Sequence, residues 1–204
     1  MVDDDPATRL TMLRLIEAHG LRTEAFSSAG EFLEGFEPER PGCLLLDVRM
    51  PGICGLQLQK TLAERNCALP VIFVTGFGDV PMATETMRRG AFDFLEKPFR
   101  SDALLKVIHK AIEWDLQRRG ERTECDRIAA RLATLSDRER EVLSHVVSGE
   151  RNKLVASKLG VTVKTVEAHR SHIMRKTGAR SVAELVRFHL AADRQGAVNP
   201  YATC

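Results

Sequence analysis

The sequence predicts a doubly wound parallel α/β domain followed by an all-helical domain. Two patterns carry this reading. Strand and helix periods alternate up to about residue 117, and no strand pattern occurs after Leu135. The charge divides in the same way. Residues 1–117 carry 13 Lys+Arg against 18 Asp+Glu, a net of −5, and residues 118–204 carry 17 against 10, a net of +7. The second part therefore suits a polyanion.

Leu10, Leu13 and Ile16, with Met12, follow a helical period that Gly20 ends. "LRTEAF" is short and strand-like. Ser28 and Glu31 form a capping box for a helix to about Phe36. "GCLLLD" is an uninterrupted apolar run, as a parallel strand buried on both faces requires. Helix "GLQLQKTLAER", strand "LPVIFVT", helix "VPMATETMRRG" and strand "AFDFLEKP" follow, the last stopped by Pro98. Ser101 caps the helix "DALLKVIHKAIEWDLQRR". Residues 118–133 read as a charged, partly helical linker. Four helices are then predicted, at about 136–148, 152–159, 162–177 and 181–192. Ser136 with Glu139, and Ser181 with Glu184, are capping boxes, and Thr162 is an N-cap. The domains are thus 1–117 and 134–195, with a tail at 196–204.

No apolar run approaches the roughly 20 residues of a membrane span, and no signal-peptide pattern opens the chain. The five cysteines are scattered and no CxxC occurs, so a reduced, cytoplasmic protein is expected. Cys43 and Cys54 read as small buried hydrophobes.

In a parallel sheet, chemistry sits at the carboxyl ends of the strands. Asp47, Thr75 and Lys97 occupy three such ends, and the acids of "VDDD" a fourth if Val2 ends a strand. One such Asp is usually a helix cap. Asp3, Asp4 and Asp47 together would repel strongly unless a cation neutralised them. Hard oxygen donors without His or Cys suit magnesium. One acid could then accept a phosphoryl group, with metal and lysine balancing its charge.

"LLLDVRMPGICG", "VIFVTGFGDVPMA" and "GAFDFLEKPF" resemble the receiver domain of two-component response regulators, over residues 1 to about 117. The resemblance implies a flavodoxin-like sheet of five strands in the order 2-1-3-4-5. It implies that Asp47 is the phosphoacceptor. Asp4, Asp47 and the carbonyl of Arg49 would ligate Mg2+, and Asp3 would hold a metal-bound water. Lys97, before a cis Pro98, would pair with the phosphoryl oxygens. Thr75 would bind the phosphoryl group on activation, with Phe94 as its coupled aromatic. Asp5 reads as a cap for the first helix. A phosphatase of the haloacid-dehalogenase kind is the rival. Its acid/base Asp would stand at position 49, where Arg49 cannot protonate a leaving group.

The basic half reads helix, turn, helix. Leu143, Val146 and Val147 make one apolar face; Leu154, Val155, Ala156 and Leu159 make the next; Val166, Ile173 and Met174 face inward from the third. "LSDREREVL" and "GERNKLVASKLGVTVKTVEAHRSHIMRK" resemble the LuxR-type helix-turn-helix, over about 134–195. That family lays its third helix in the DNA major groove. By position, Glu167, Ala168 and Ser171 would face base edges, with Arg170 and His172 as additions. Asn152, Lys153, Lys164, Thr165, His169, Arg175 and Lys176 would mostly touch phosphates.

Receiver plus LuxR-type output is the NarL/FixJ architecture. The expected protein is a phosphorylation-dependent transcription regulator, not an enzyme. It would take its phosphoryl group from a sensor histidine kinase, dimerise, bind double-stranded DNA and act as an activator. Regulation independent of phosphate is the alternative.

One departure stands out. The family's first strand holds about five apolar residues, and here only Met1 and Val2 precede the acids. Three fewer buried side chains, at roughly 1.5–3 kcal/mol each, would remove about 5–9 kcal/mol. A truncated first strand is expected, with its neighbours' inner edges unpaired, and a natural start several residues upstream.

Overall fold

The structure, a computed structural model, describes residues 1–37, 39–76 and 80–194. Residues 77–79 of the quoted "VIFVTGFGDVPMA" and the expected tail 196–204 lie outside them. The chain separates between Arg119 and Gly120 into two compact units.

The first unit has a parallel sheet of β1 (Leu44–Asp47), β2 (Val71–Thr75) and β3 (Asp93–Glu96) in that order. β1 is almost wholly buried and β2 is buried at every residue, which is why both are apolar without alternation. Helices α1 (Pro6–Glu17), α2 (Ala29–Gly35), α3 (Gly55–Glu64), α4 (Val80–Arg88) and α5 (Ser101–Ala133) complete the alternation. Two apolar clusters flank the sheet. One holds Phe73, Leu44, Leu46, Leu58 and Leu62, and the other Met12, Ile16, Ile72, Leu104 and Ile108.

Only three of the five expected strands are regular among the described residues. The other two shrink to single bridges: Val2 pairs in parallel with Phe26 on one side and Leu46 on the other. The expected unpaired edges do not arise at this level. Val2 N donates to Leu45 O at 2.8 Å, Asp47 N to Val2 O at 2.9 Å, and Phe26 N to Met1 O at 2.9 Å. Val2 is 1% exposed, so one short segment fills the slot between its neighbours.

Other details depart from expectation. α1 buries Met12 and Ile16 but leaves Leu10 half exposed, because its buried stripe is narrower than its apolar content. Ser28 caps α2 as expected, but the Glu31 carboxylate reaches back to the N–H and hydroxyl of Ser27. The linker is helical throughout, since α5 runs to Ala133. Its Arg, Glu and Ala residues favour helix, and an Arg127–Glu124 pair at 2.8 Å adds support. Cys43 and Cys54 are half-buried rather than buried; burial pushes the Cys43 thiol up to about 12.

The second unit packs α6 (Asp137–Val147), α7 (Asn152–Leu159), α8 (Val163–Thr177) and α9 (Val182–Arg194) around Val142, Val155, Val166, Ile173 and Leu185. Ser136 and Glu139 form the expected capping box. At Ser181 the box shifts by one residue, with Glu184 accepting from Arg180 N. Leu154, expected inside, is 49% exposed. Gly160 and Gly178 take φ of 64° and 74°, the left-handed conformation that ends α7 and α8. No helix among the described residues is long and apolar enough to cross a membrane.

Candidate functional site

Strand register builds the first site. Asp47 pairs with Val74 and Thr75 with Glu96, so Asp47, Thr75 and Lys97 end neighbouring strands. Lys97 N donates to Thr75 O at 2.7 Å, which ties the end of β3 to that of β2. Asp3 and Asp4 follow Val2 at the end of its bridge. Carboxylate oxygens of Asp3, Asp4 and Asp47 all lie within 4.8 Å of one another. Of these, Asp3 is buried, Asp47 half-buried and Asp4 exposed. The donors are all hard oxygens, a set that fits a divalent cation such as magnesium.

Each carboxylate oxygen of Asp3 has a partner. Its Oδ2 accepts from Lys97 Nζ at 2.8 Å and its Oδ1 from Asp5 N at 3.0 Å. Burial pushes the Asp47 carboxyl above its ordinary value; Lys97 pulls it down and Asp3 pushes it up. Asp5 caps α1, accepting from Ala7 N at 3.2 Å and Thr8 N at 3.0 Å. Its carboxyl lies low, chiefly through the Thr8 hydroxyl. Thr75 is 2% exposed, and Phe94 packs half-buried against the Phe73 cluster. The Lys97–Pro98 bond is cis, as expected. Asp4, Arg49, Met50, Pro51 and Cys54 line an open cleft of 540 Å³ beside the acids.

Sequence reasoning missed two residues here. A Cβ on Gly55 would lie 2.3 Å from Asp47 O, so only glycine lets α3 start so close to β1. Arg9 Nη1 donates to Asp3 O at 2.7 Å and Asp4 O at 2.9 Å. The glycine could have been suspected from its place at the first position of the predicted helix "GLQLQKTLAER"; nothing local marks the arginine.

The second site lies on α8. The helix buries Val166, Ile173 and Thr177, and the 3.6-residue period then turns Lys164, Glu167, Ala168, Ser171 and Arg175 outward. Lys153 is also exposed; Thr165 and His169 are half-buried. Two expected contact residues have partners within the fold. Arg170 Nη1 donates to Asn152 Oδ1 at 3.1 Å, joining α8 to the start of α7. Lys176 Nζ donates to the buried Glu139 at 2.6 Å and to Thr134 O at 3.2 Å. Ser136 N also donates to Glu139, at 2.8 Å. These contacts, Lys176 first, hold the Glu139 carboxyl down at about 2. Arg131 reaches Thr177 O at 3.3 Å and steadies the end of α8.

Comparison with known proteins bears on both sites. Residues 1–109 match the response regulator receiver domain, and residues 133–189 match the bacterial regulatory proteins of the luxR family. The chain is a response regulator of the NarL/FixJ family. This response regulator is 43% identical over 187 residues to nodulation protein W of Bradyrhizobium diazoefficiens, covering 92% of the chain and 82% of that relative. It is 42% identical over 192 residues to the transcriptional regulatory protein FixJ of Azorhizobium caulinodans, covering 94% and 91%. Among solved structures, the response regulator StyR matches with a TM-score of 0.81 at 39% identity, covering 93% of this chain and 96% of that one. A receiver joined to a LuxR-type domain makes the chain a phosphorylation-dependent transcription regulator.

Proposed function

We propose that Asp47 is the phosphoacceptor and that its phosphorylation controls binding of the second unit to DNA. The observation that carries this is the meeting of Asp3, Asp4, Asp47 and Lys97 at the carboxyl ends of the strands. A carboxylate oxygen of Asp47 attacks the phosphorus of a phosphohistidine on a sensor kinase. The P–N bond breaks as the P–O bond forms, and the histidine regains a proton. Asp4, Asp47 and the Arg49 carbonyl would hold Mg2+, with Asp3 behind them. The bound ion would neutralise charge on the acids and on the transferring group. Lys97 sits close enough to Asp3 to move its charge onto the phosphoryl oxygens. Thr75 supplies a hydroxyl at the neighbouring strand end, and Phe94 packs behind it as the coupled aromatic.

The acyl phosphate adds a charge of about −2. It draws Thr75 inward, reshapes the surface near Phe94 and favours a homodimer that binds double-stranded DNA, most simply as an activator. On α8, Glu167, Ala168 and Ser171 face base edges. Asn152, Lys153, Lys164, Thr165, His169 and Arg175 touch phosphates, with Arg170 set by Asn152. Lys176 supports the helix through Glu139 instead. The test is incubation with acetyl phosphate and Mg2+, followed by Asp47 occupancy, dimer formation and DNA affinity. The reading requires all three to rise together, and label elsewhere than Asp47 would overturn it.

A further inference from the structure

We infer that Arg9 is a positioning residue for the Mg2+ site, an inference that rests on the proposed function of Asp3, Asp4 and Asp47. Consecutive residues in a strand point to opposite faces. Asp3 and Asp4 are consecutive, yet both place a carboxylate oxygen within 4.8 Å of one on Asp47. The chain must therefore leave strand geometry between them, and something must hold the turn. Arg9 does so from α1. One guanidinium nitrogen grips both peptide carbonyls, Asp3 O at 2.7 Å and Asp4 O at 2.9 Å. Two successive carbonyls drawn to one donor cannot alternate as strand carbonyls do. Asp5 completes the turn: its N–H holds Asp3 Oδ1, and its carboxylate caps the helix that carries Arg9. The guanidinium forms no salt bridge among the described residues, so its role at the acids is not neutralisation by a direct pair.

Charge and position make opposite demands here. A cation near a Mg2+ site weakens metal binding, so removing Arg9 would tighten it if charge were all that mattered. If Arg9 sets the turn, its removal weakens binding. Outer partners of metal ligands typically contribute about 10–100-fold in affinity. The experiment is a calorimetric Mg2+ titration of the full chain, wild type against Arg9→Gln and Arg9→Lys, well below their melting temperatures. Melting is also followed with and without Mg2+. The expected result is about tenfold weaker binding for Arg9→Gln, a smaller loss for Arg9→Lys, and a smaller Mg2+-induced rise in melting temperature. Label from acetyl phosphate should return toward wild type at saturating Mg2+. Unchanged or tighter binding in Arg9→Gln overturns the inference, and so does failure of both variants to fold. A wild-type chain that binds no Mg2+ overturns the proposed function itself.

Discussion

Asp3 in the first unit and Glu139 in the second are both buried acids held by one lysine, Lys97 at 2.8 Å and Lys176 at 2.6 Å. Their surroundings differ. Glu139 has a complete set of partners, with Lys176, Ser136 N and the start of α6 all favouring its charge. Asp3 shares its lysine with a cluster carrying two more carboxylates, one of them half-buried. The first arrangement has surplus negative charge, so it can accept a new cation, and its lysine can then turn to a new anion. The second is closed, and its neutrality contributes to the fold. The same pair of groups can serve a switch or a strut, according to what else is charged beside it.

The largest expected effect separates the two directly. Asp47→Asn should lose all label from acetyl phosphate while Trp114 fluorescence and helicity stay near wild type. Label that survives in that variant would refute the assignment of Asp47. The DNA affinity of Asp47→Asn should stay at the unphosphorylated level with donor present.

The next effect is on stability, and it tests whether the second pair is closed. Lys176→Met leaves the Glu139 carboxylate without its main partner, and because Lys176 is itself a third exposed the loss should be about 1–3 kcal/mol. Mg2+ should not restore that loss. Lys97→Met should also melt earlier, but Mg2+ should recover part of it because the acids can take a cation. Trp114, the one tryptophan, lies in the first unit and reports its melting, while far-ultraviolet helicity reports both. If Mg2+ rescues both variants alike, or neither, the contrast is wrong.

The two sites also differed in how far they could be read from sequence. β1 and β2 were legible because burial on both faces leaves an unbroken apolar run, and Asp47 and Thr75 stand where those runs stop. The Glu139–Lys176 pair was not legible. Its members are 37 residues apart, and each alone looks like a solvated charge on a helix. Lys176 was accordingly expected on DNA. Arg9 was hidden for a similar reason, since its partners are backbone carbonyls that leave no mark in side-chain patterns. Leu10 and Leu154 misled in the opposite direction, as apolar residues at helical spacing that the packing leaves half exposed.

A smaller effect follows from the low Glu139 carboxyl. A group whose folded value is depressed stabilises above its ordinary value, 4.5, and loses that contribution as pH falls toward about 2. Acid melting of the wild type should therefore show a loss of helicity across that window, and Glu139→Gln should flatten it. An identical acid profile in Glu139→Gln would mean that Glu139 is not the titrating strut.

The smallest effects distinguish α8 residues that are free from those that are held. Lys164 is exposed and has no ion pair among the described residues, whereas Lys176 is bound to Glu139. A lysine that neutralises a DNA phosphate releases about one counterion, so its loss lowers the slope of log affinity against log salt by about one. Lys164→Ala should do this on every sequence alike. Lys176→Met, measured below its melting temperature, should keep the wild-type slope. Ser171 lies one helical turn on from Glu167 and Ala168, on the same outward face. A hydroxyl bonding a base edge contributes about 1 kcal/mol, and its loss leaves the phosphates untouched. Ser171→Ala should therefore keep the salt slope and reorder preference among sequences by about fivefold. A changed slope with unchanged preference would place Ser171 at the phosphate backbone. A lowered slope in Lys176→Met would show that the second pair opens on DNA, and would end the contrast between switch and strut.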